Sequence, residues 1–311
     1  MSLTLSDIFR MPTAVVYPPF KNGLYMEEAF YFFYQANKEI FERLPYVYIP
    51  AFWTNFQIHE HFSLIKGRMQ EELDEAVKAF PPDTNFFTIV QHDDAVLLRL
   101  PENTLLFGAC SGHIPLPLIY EDRQQILESL PKKTYAEKTI PVSFIGSLTH
   151  PVRRELVDFI QKQQLPWMMD TGEGSAVQGV QRKALFTDTS RDSFFSLAPR
   201  GYGRSSFRFF ELFLLGTIPV YIWDDVEWLP YKDRLNYSEF CVSIHISELP
   251  TLQEKLSAIT KEHYESMQKK YTEIKDYFHL FGMCRYILEF LIANPALSIP
   301  TLPYYKGKGS L

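Results

Sequence analysis

Short apolar runs alternate along the chain with longer stretches that mix apolar and charged residues, and the alternation falls into two blocks. In the first, Tyr46-Val47-Tyr48-Ile49-Pro50 and Phe86-Phe87-Thr88-Ile89-Val90 are rich in strand formers and end at a proline or a polar cluster. Such runs predict buried parallel strands. Between them Leu64, Met69, Leu73 and Val77 recur every four or five positions among charges, which predicts a crossover helix over 61–80. A charged, poorly patterned stretch, 128–138, is the candidate linker. The second block opens with the apolar run Pro141-Val142-Ser143-Phe144-Ile145-Gly146, followed by Leu156, Val157, Phe159 and Ile160 at helical spacing. Further on, 194–197 reads as a strand, 205–215 as a helix stopped by Gly216, and 217–222 as another strand. The second block is therefore expected to be a Rossmann-like half. Apolar faces at Leu252, Leu256, Ile259, Tyr286, Ile287, Phe290 and Leu291 predict a mainly helical tail that packs back over the first domain. The expected division is 1–135, 136–280 and a returning helix and tail at 281–311, the Pro/Gly-rich end being loosely held.

A length of 311 residues with 46% hydrophobic and 22% charged residues is enough for two cores. The aromatic share of 15% is mostly core, with some rings free to line a sugar site. A net charge of −6 provides no broad cationic face, so nucleic acid is excluded as a partner and any phosphate contact must be local. Cys110, Cys241 and Cys284 are far apart and lack metal or disulfide spacing, and are expected to be buried free thiols. No leader or membrane span is legible, which predicts a soluble chain. The triplet Asn236-Tyr237-Ser238 fits a glycosylation sequon but occurs by chance in a chain of this length.

The segment Pro199-Arg200-Gly201-Tyr202-Gly203-Arg204-Ser205-Ser206-Phe207-Arg208-Phe209-Phe210-Glu211 places two glycines in a loop after a strand and before a helix. Free amides in a first helical turn, the positive end of its dipole and a Ser205 or Ser206 cap favour an anion there. Arg200 and Arg208 add guanidinium forks suited to a diphosphate, and Glu211 sits one turn deeper, where a carboxylate suits ribose hydroxyls. Spacing alone leaves open a plain glycine turn and an ordinary Arg208–Glu211 surface pair.

The run 196–242, SLAPRGYGRSSFRFFELFLLGTIPVYIWDDVEWLPYKDRLNYSEFCV, resembles the exostosin-type glycosyltransferases of family 47. The shared features are the Pro-Arg-Gly start, the Ser-Phe-Arg-x-x-Glu helix, Gly-Thr-Ile-Pro-Val, Leu229-Pro230 and Ser238-Glu239-Phe240. Weaker echoes lie in Tyr48-Ile49-Pro50-Ala51-Phe52, in Phe86-Phe87 with His92-Asp93, and in Phe144-Ile145-Gly146 with Arg153 and Arg154. The resemblance implies a GT-B fold, an α/β architecture of two Rossmann-like domains facing across a cleft, and inversion at the anomeric carbon. It also implies a UDP-sugar donor on the C-terminal domain and a carbohydrate or glycoprotein glycan as acceptor. UDP-xylose is the expected donor among pentoses, hexoses and uronates. Gly201, Tyr202, Gly203, Ser205, Ser206 and Glu211 join Arg200 and Arg208 as donor-binding candidates, with Gly146, Arg153 and Arg154 as a second group. Many relatives carry a membrane anchor, so the expectation is a cytoplasmic microbial or viral member, or else a luminal Golgi domain without its anchor.

Inversion needs a general base on the acceptor side. Asp93, Asp94 and the adjacent His92 follow a predicted strand and are the first candidates; His59, Glu60, His61 and His113 are others. Asp224, Asp225 and Glu227 could suggest a metal site, yet GT-B enzymes neutralise the leaving group with arginine and helix ends. No metal is expected, and these acids are read as lining the donor sugar or capping a loop. Backbone groups of Met169-Asp170-Thr171-Gly172-Glu173-Gly174 are a candidate nucleobase contact, or a plain turn. The rival readings are a non-catalytic nucleotide- or carbohydrate-binding module and a dinucleotide oxidoreductase, the latter disfavoured because no G-x-G-x-x-G follows the first strand of the second block.

Overall fold

A computed structural model describes residues 2–12, 15, 16, 18–172, 179–295 and 297–299. Glu173, Gly174 and the 300–311 tail lie outside the described residues. The chain forms two units, one of Met1–Glu121 with Asp276–Leu311 and one of Asp122–Lys275.

The first unit runs α1 (Met26–Ala36), α2 (Lys38–Phe41), β1 (Val47–Tyr48), α3 (Trp53–Gln57), α4 (Phe62–Val77), β2 (Phe86–Val90), β3 (Thr104–Gly108) and β4 (Ile114–Pro115). Its strands are all parallel in the order β1-β2-β3-β4. Every residue of β2 and β3 is buried, which is why both read as unbroken apolar runs. The edge strand β1 is shorter than the apolar run suggests, although Ile49 still donates to Phe87 O at 2.9 Å; Pro50 has no N–H with which to continue the ladder. The aromatic wealth of the sequence is packed here. Phe30, Phe41, Tyr48 and Phe87 form one ring cluster, and Phe9, Trp53 and Phe56 another against Met69, Leu73 and Phe86.

The second unit contains β5 (Ile140–Ile145), α5 (Pro151–Lys162), β6 (Met168–Asp170), α6 (Gly179–Asp192), β7 (Ser193–Pro199), α7 (Phe207–Leu214), β8 (Ile218–Trp223), β9 (Val242–His245), α8 (Leu249–Ser257) and α9 (Lys261–Ile274). Its five strands are parallel in the order β6-β5-β7-β8-β9. Val142, Phe144, Leu197, Val220, Ile222 and Ile244 fill the core with Leu156, Ile160 and Leu252 from the covering helices.

The 128–138 stretch falls within this unit and is tied into it. Tyr135 packs its ring at a tilt against Phe194 and edge-on to Tyr264, and the buried Lys138 donates to Arg191 O at 2.7 Å and Ser193 O at 2.9 Å. Burial pushes the Lys138 amino group down to about 8. The division accordingly falls at Asp122 and Asp276, where the sequence suggests 136 and 281. The last helix, α10 (Leu280–Ala293), packs on α1 and joins the first unit, with Phe290 edge-on to Phe107.

Candidate functional site

In the second unit the chain leaves β5 for β6 on one side and then returns to β7 on the other. The loops after β5 and β7 therefore diverge, and the crevice outside such strand ends is where open parallel sheets bind ligands. The loop after β5 is 146–150 and the loop after β7 is 200–206, so the sequence candidates of both groups converge at this point.

Most of the loop after β7 is held by its own protein. Arg200 is 2% exposed, and its Nη1 lies 2.6 Å from Asp224 Oδ1 and 2.8 Å from Asp225 Oδ1. Its Nε and Nη2 donate to Gly203 O and Tyr202 O, both at 3.3 Å. Arg204 holds the other oxygen of Asp225 at 2.7 Å and lies over the Trp228 ring. Burial works to raise the Asp225 carboxyl, but the bond from Arg204 and the charge of Arg200 outweigh it and leave the carboxyl below its ordinary value. Arg153 is equally enclosed, donating to Arg200 O at 2.8 Å, Ser147 O at 2.9 Å and Pro199 O at 3.3 Å. Arg154 is exposed. Gly201 donates its amide to Ser205 O at 2.9 Å, while Tyr202 stands 46% exposed. The expected serine cap is not made: Ser206 occupies the capping position of α7 with extended backbone, but its hydroxyl forms no capping bond and faces Arg153 at 3.5 Å. His150 caps α5 instead, its Nδ1 accepting from Val152 N at 3.3 Å. Burial, reinforced by Arg200, lowers the pKa of that imidazole.

Arg208 differs from the other arginines. It projects from the first turn of α7 to the end of β5, where its Nη1 occupies the space a Cβ on Gly146 would need, so a larger residue at 146 would have to displace the guanidinium. Its Cζ lies 4.8 Å from the centroid of Phe186 on α6. Its Nε is buried and has no hydrogen-bond partner among the described residues. Burial pulls its pKa below the ordinary arginine value while Glu211 acts in the opposite sense, and so high a starting value keeps it charged. Glu211 is 5% exposed, which rules out an ordinary surface pair. Phe186, like Arg182 on the same helix, is absent from the sequence candidates.

The other candidate cluster lies at the end of β2. Asp94 N donates to His92 Nδ1 at 3.2 Å, so in the neutral ring the proton sits on Nε2. Burial lowers the His92 pKa against the opposing pull of Asp93 and Asp94. The Cys110 thiol reaches Asp93 Oδ1 at 3.3 Å, and Asp94 Oδ1 is buried with no partner among the described residues. Ala95 follows at φ +59, a left-handed conformation that turns the loop back. Beneath it lies a residue the sequence reading missed. Glu27, in the first turn of α1 and 1% exposed, accepts from Thr54 N at 3.1 Å, Thr54 Oγ1 at 2.6 Å and Gln91 N at 3.0 Å. Burial raises its pKa despite these bonds.

Of the other histidines, His113 accepts from Leu106 N at 2.9 Å and fastens β3, while His61 is an exposed partner of Glu60. All three cysteines are buried, and none is in a disulfide among the described residues. Among the described residues no cluster of three or more His, Cys, Asp or Glu could hold a metal ion, and no helix is long and apolar enough to cross a membrane.

Comparison with known proteins adds a similarity to this geometry. The Exostosin GT47 domain matches residues 107–259, which take in both candidate loops of the second unit. Three curated proteins of Arabidopsis thaliana, each named a probable glycosyltransferase, are similar to parts of the chain. One is 25% identical over 145 residues, 47% of this chain and 26% of the relative. Another is 28% identical over 138 residues, 44% of this chain and 27% of the relative. A third is 32% identical over 90 residues, 29% of this chain and 19% of the relative. The match thus spans about a quarter or less of these relatives' lengths.

Proposed function

We propose, from the match of residues 107–259 to the Exostosin GT47 domain, that the chain is an inverting glycosyltransferase that moves a sugar from a UDP-sugar, UDP-xylose first among the candidates, to a glycan hydroxyl. The observation that carries the reading is Arg208, a half-buried arginine laid across Gly146 at the switch point of a parallel sheet, inside the matched domain, whose buried Nε has no partner among the described residues. A diphosphate on the ends of β5 and β7 would take up that donor and offset the charge on the departing nucleotide. Glu211, buried one turn deeper, is the proposed partner of the ribose hydroxyls. Arg200 and Arg153 act one step back. Their forks are filled by Asp224, Asp225 and backbone carbonyls, so they hold the loop of Gly201, Tyr202, Gly203, Ser205 and Ser206 in shape.

In the first unit Asp93 and Asp94 are the proposed bases. His92 is the weaker candidate, because its Nδ1 already accepts the Asp94 amide. The carboxylate would take the acceptor hydroxyl proton as the oxygen attacks the anomeric carbon from the face opposite UDP.

The test is a panel of UDP-sugars incubated with the chain, with and without oligosaccharide acceptors, scored by UDP release and by the anomer formed. UDP release from at least one donor, with inversion in the product, is expected. Tight UDP binding with no release from any donor would leave a binding module, and stabilisation by NAD in place of UDP would return the oxidoreductase reading.

A further inference from the structure

Arg208 is not the only guanidinium at the switch point. Arg182, in the first turns of α6, lies over the end of β6, the strand paired with β5. Its Nη1 is 2.8 Å from Asp170 Oδ1, the last residue of β6, and its guanidinium packs flat on Gly172, where a Cβ would stand 2.6 Å from it. Gly172 has φ +78, and its amide donates to the same Asp170 oxygen at 2.8 Å, so Asp170 fixes the turn and the arginine together. Gly146, over which Arg208 lies, donates its amide to Asp170 O at 2.9 Å. Two cations are therefore placed over two glycines at the ends of two adjacent strands, which run about 5 Å apart. Each keeps a buried nitrogen without a partner among the described residues, Nε on Arg208 and Nη2 on Arg182. The charge of Arg182 also bears on Arg208, lowering its pKa beyond the larger effect of burial.

Bringing like charges together in a part-buried place, each with a donor left over, is unfavourable for the empty protein. A dianionic group lying over both would reverse the sign of that cost. We infer that Arg182, aimed by Asp170 and seated on Gly172, is a second cationic contact for the diphosphate of the donor. This rests on the proposed use of a nucleoside diphosphate donor and extends it to a residue on a different helix. Asp170 is then a positioning residue that sets the direction of the Arg182 fork.

Calorimetric titration of the full chain with UDP and, separately, with uridine tests the assignment in wild type, Arg182→Gln, Arg182→Lys, Asp170→Asn and Arg208→Ala, with melting curves as the check on folding. Arg182→Gln should weaken UDP at least tenfold, leave uridine unchanged and make UDP binding less sensitive to salt. Arg182→Lys should recover part of the loss, because a point charge replaces a fork, and Asp170→Asn should fall between. Wild-type UDP affinity in Arg182→Gln alongside a loss in Arg208→Ala would overturn the role of Arg182 and leave the proposed function standing. Equal loss of UDP and uridine would make Arg182 merely structural. Should the wild type bind no nucleoside diphosphate at all, this inference and the proposed function fall together.

Discussion

At the end of β7 the buried charge is a group of guanidiniums, whereas at the end of β2 it is a carboxyl. The buried Arg200 and Arg153 gather at the first place beside the half-buried Arg208, and Glu27, beneath the loop of His92, Asp93 and Asp94, occupies the second. Both places lie at the carboxyl ends of parallel strands, next to the first turn of a helix. Among the described residues the surroundings differ in what they leave unfilled: a donor on Arg208 in one, acceptors on Glu27 and Asp94 in the other. Spare donors beside fixed cations suit an anion that arrives ready charged. Spare acceptors beside a neutral imidazole suit a proton in transit. One topology can thus be tuned to two kinds of chemistry by the sign of the charge it encloses.

Substitutions at four places break or sharpen this contrast. The largest effect is expected from Asp93→Asn combined with Asp94→Asn. Loss of a general base typically costs about 10²- to 10⁴-fold, so kcat should collapse while UDP affinity stays put. If transfer persists at the wild-type rate, the acid-base assignment to the β2 end is lost. Next, Arg208→Ala should lower turnover about a hundredfold, near 3 kcal/mol, with the melting temperature little changed. Near-normal transfer would remove the anion site from the β7 end.

Glu27→Ala acts on stability instead, leaving two backbone amides and a hydroxyl without their acceptor, and should cost about 2–4 kcal/mol in urea unfolding. Its pH dependence carries the sign of a raised carboxyl. The folded state holds the Glu27 proton more tightly than the unfolded chain does. Its stabilising contribution is therefore full below the ordinary value of 4.5 and is lost as pH climbs through the raised folded value. Glu27→Gln should abolish that slope, and an unaltered stability profile would mean that the group is not the one titrating. The smallest effect is expected from Gly146→Ala. A methyl group in the space of Arg208 Nη1 should displace the guanidinium and weaken UDP about tenfold, roughly 1.4 kcal/mol. Unchanged affinity would show that the fit over β5 does not matter for binding.

What was legible in the sequence follows the strength of each local signal. β2, β5 and β8 are buried on both faces and stand out as apolar runs, and the glycine and arginine punctuation around 199–211 marks a strand-to-helix turn. The helix α6 gave no such signal. Its stretch Gly179–Asp192 is mostly polar with few apolar residues in register, so no stripe of period 3.6 is visible, and Arg182 and Phe186 went unread with it. Glu27 looks like one of two surface acids in Met26-Glu27-Glu28; its burial comes from Thr54 and Gln91, far away in the chain. The roles of Arg200 and Arg208 were inseparable on spacing. Only the placement of Asp224 and Asp225 beyond β8 shows which fork is already filled.

The clasp that Arg200 makes on Asp224 and Asp225, with Arg204 beside it on Asp225, joins the β7 loop to the segment after β8. A molecule that settles on that loop would meet a surface already rigid before its arrival, and little ordering entropy would oppose the encounter. Slower amide deuterium exchange would then spread along both strands at once, since opening either one would require the clasp to part.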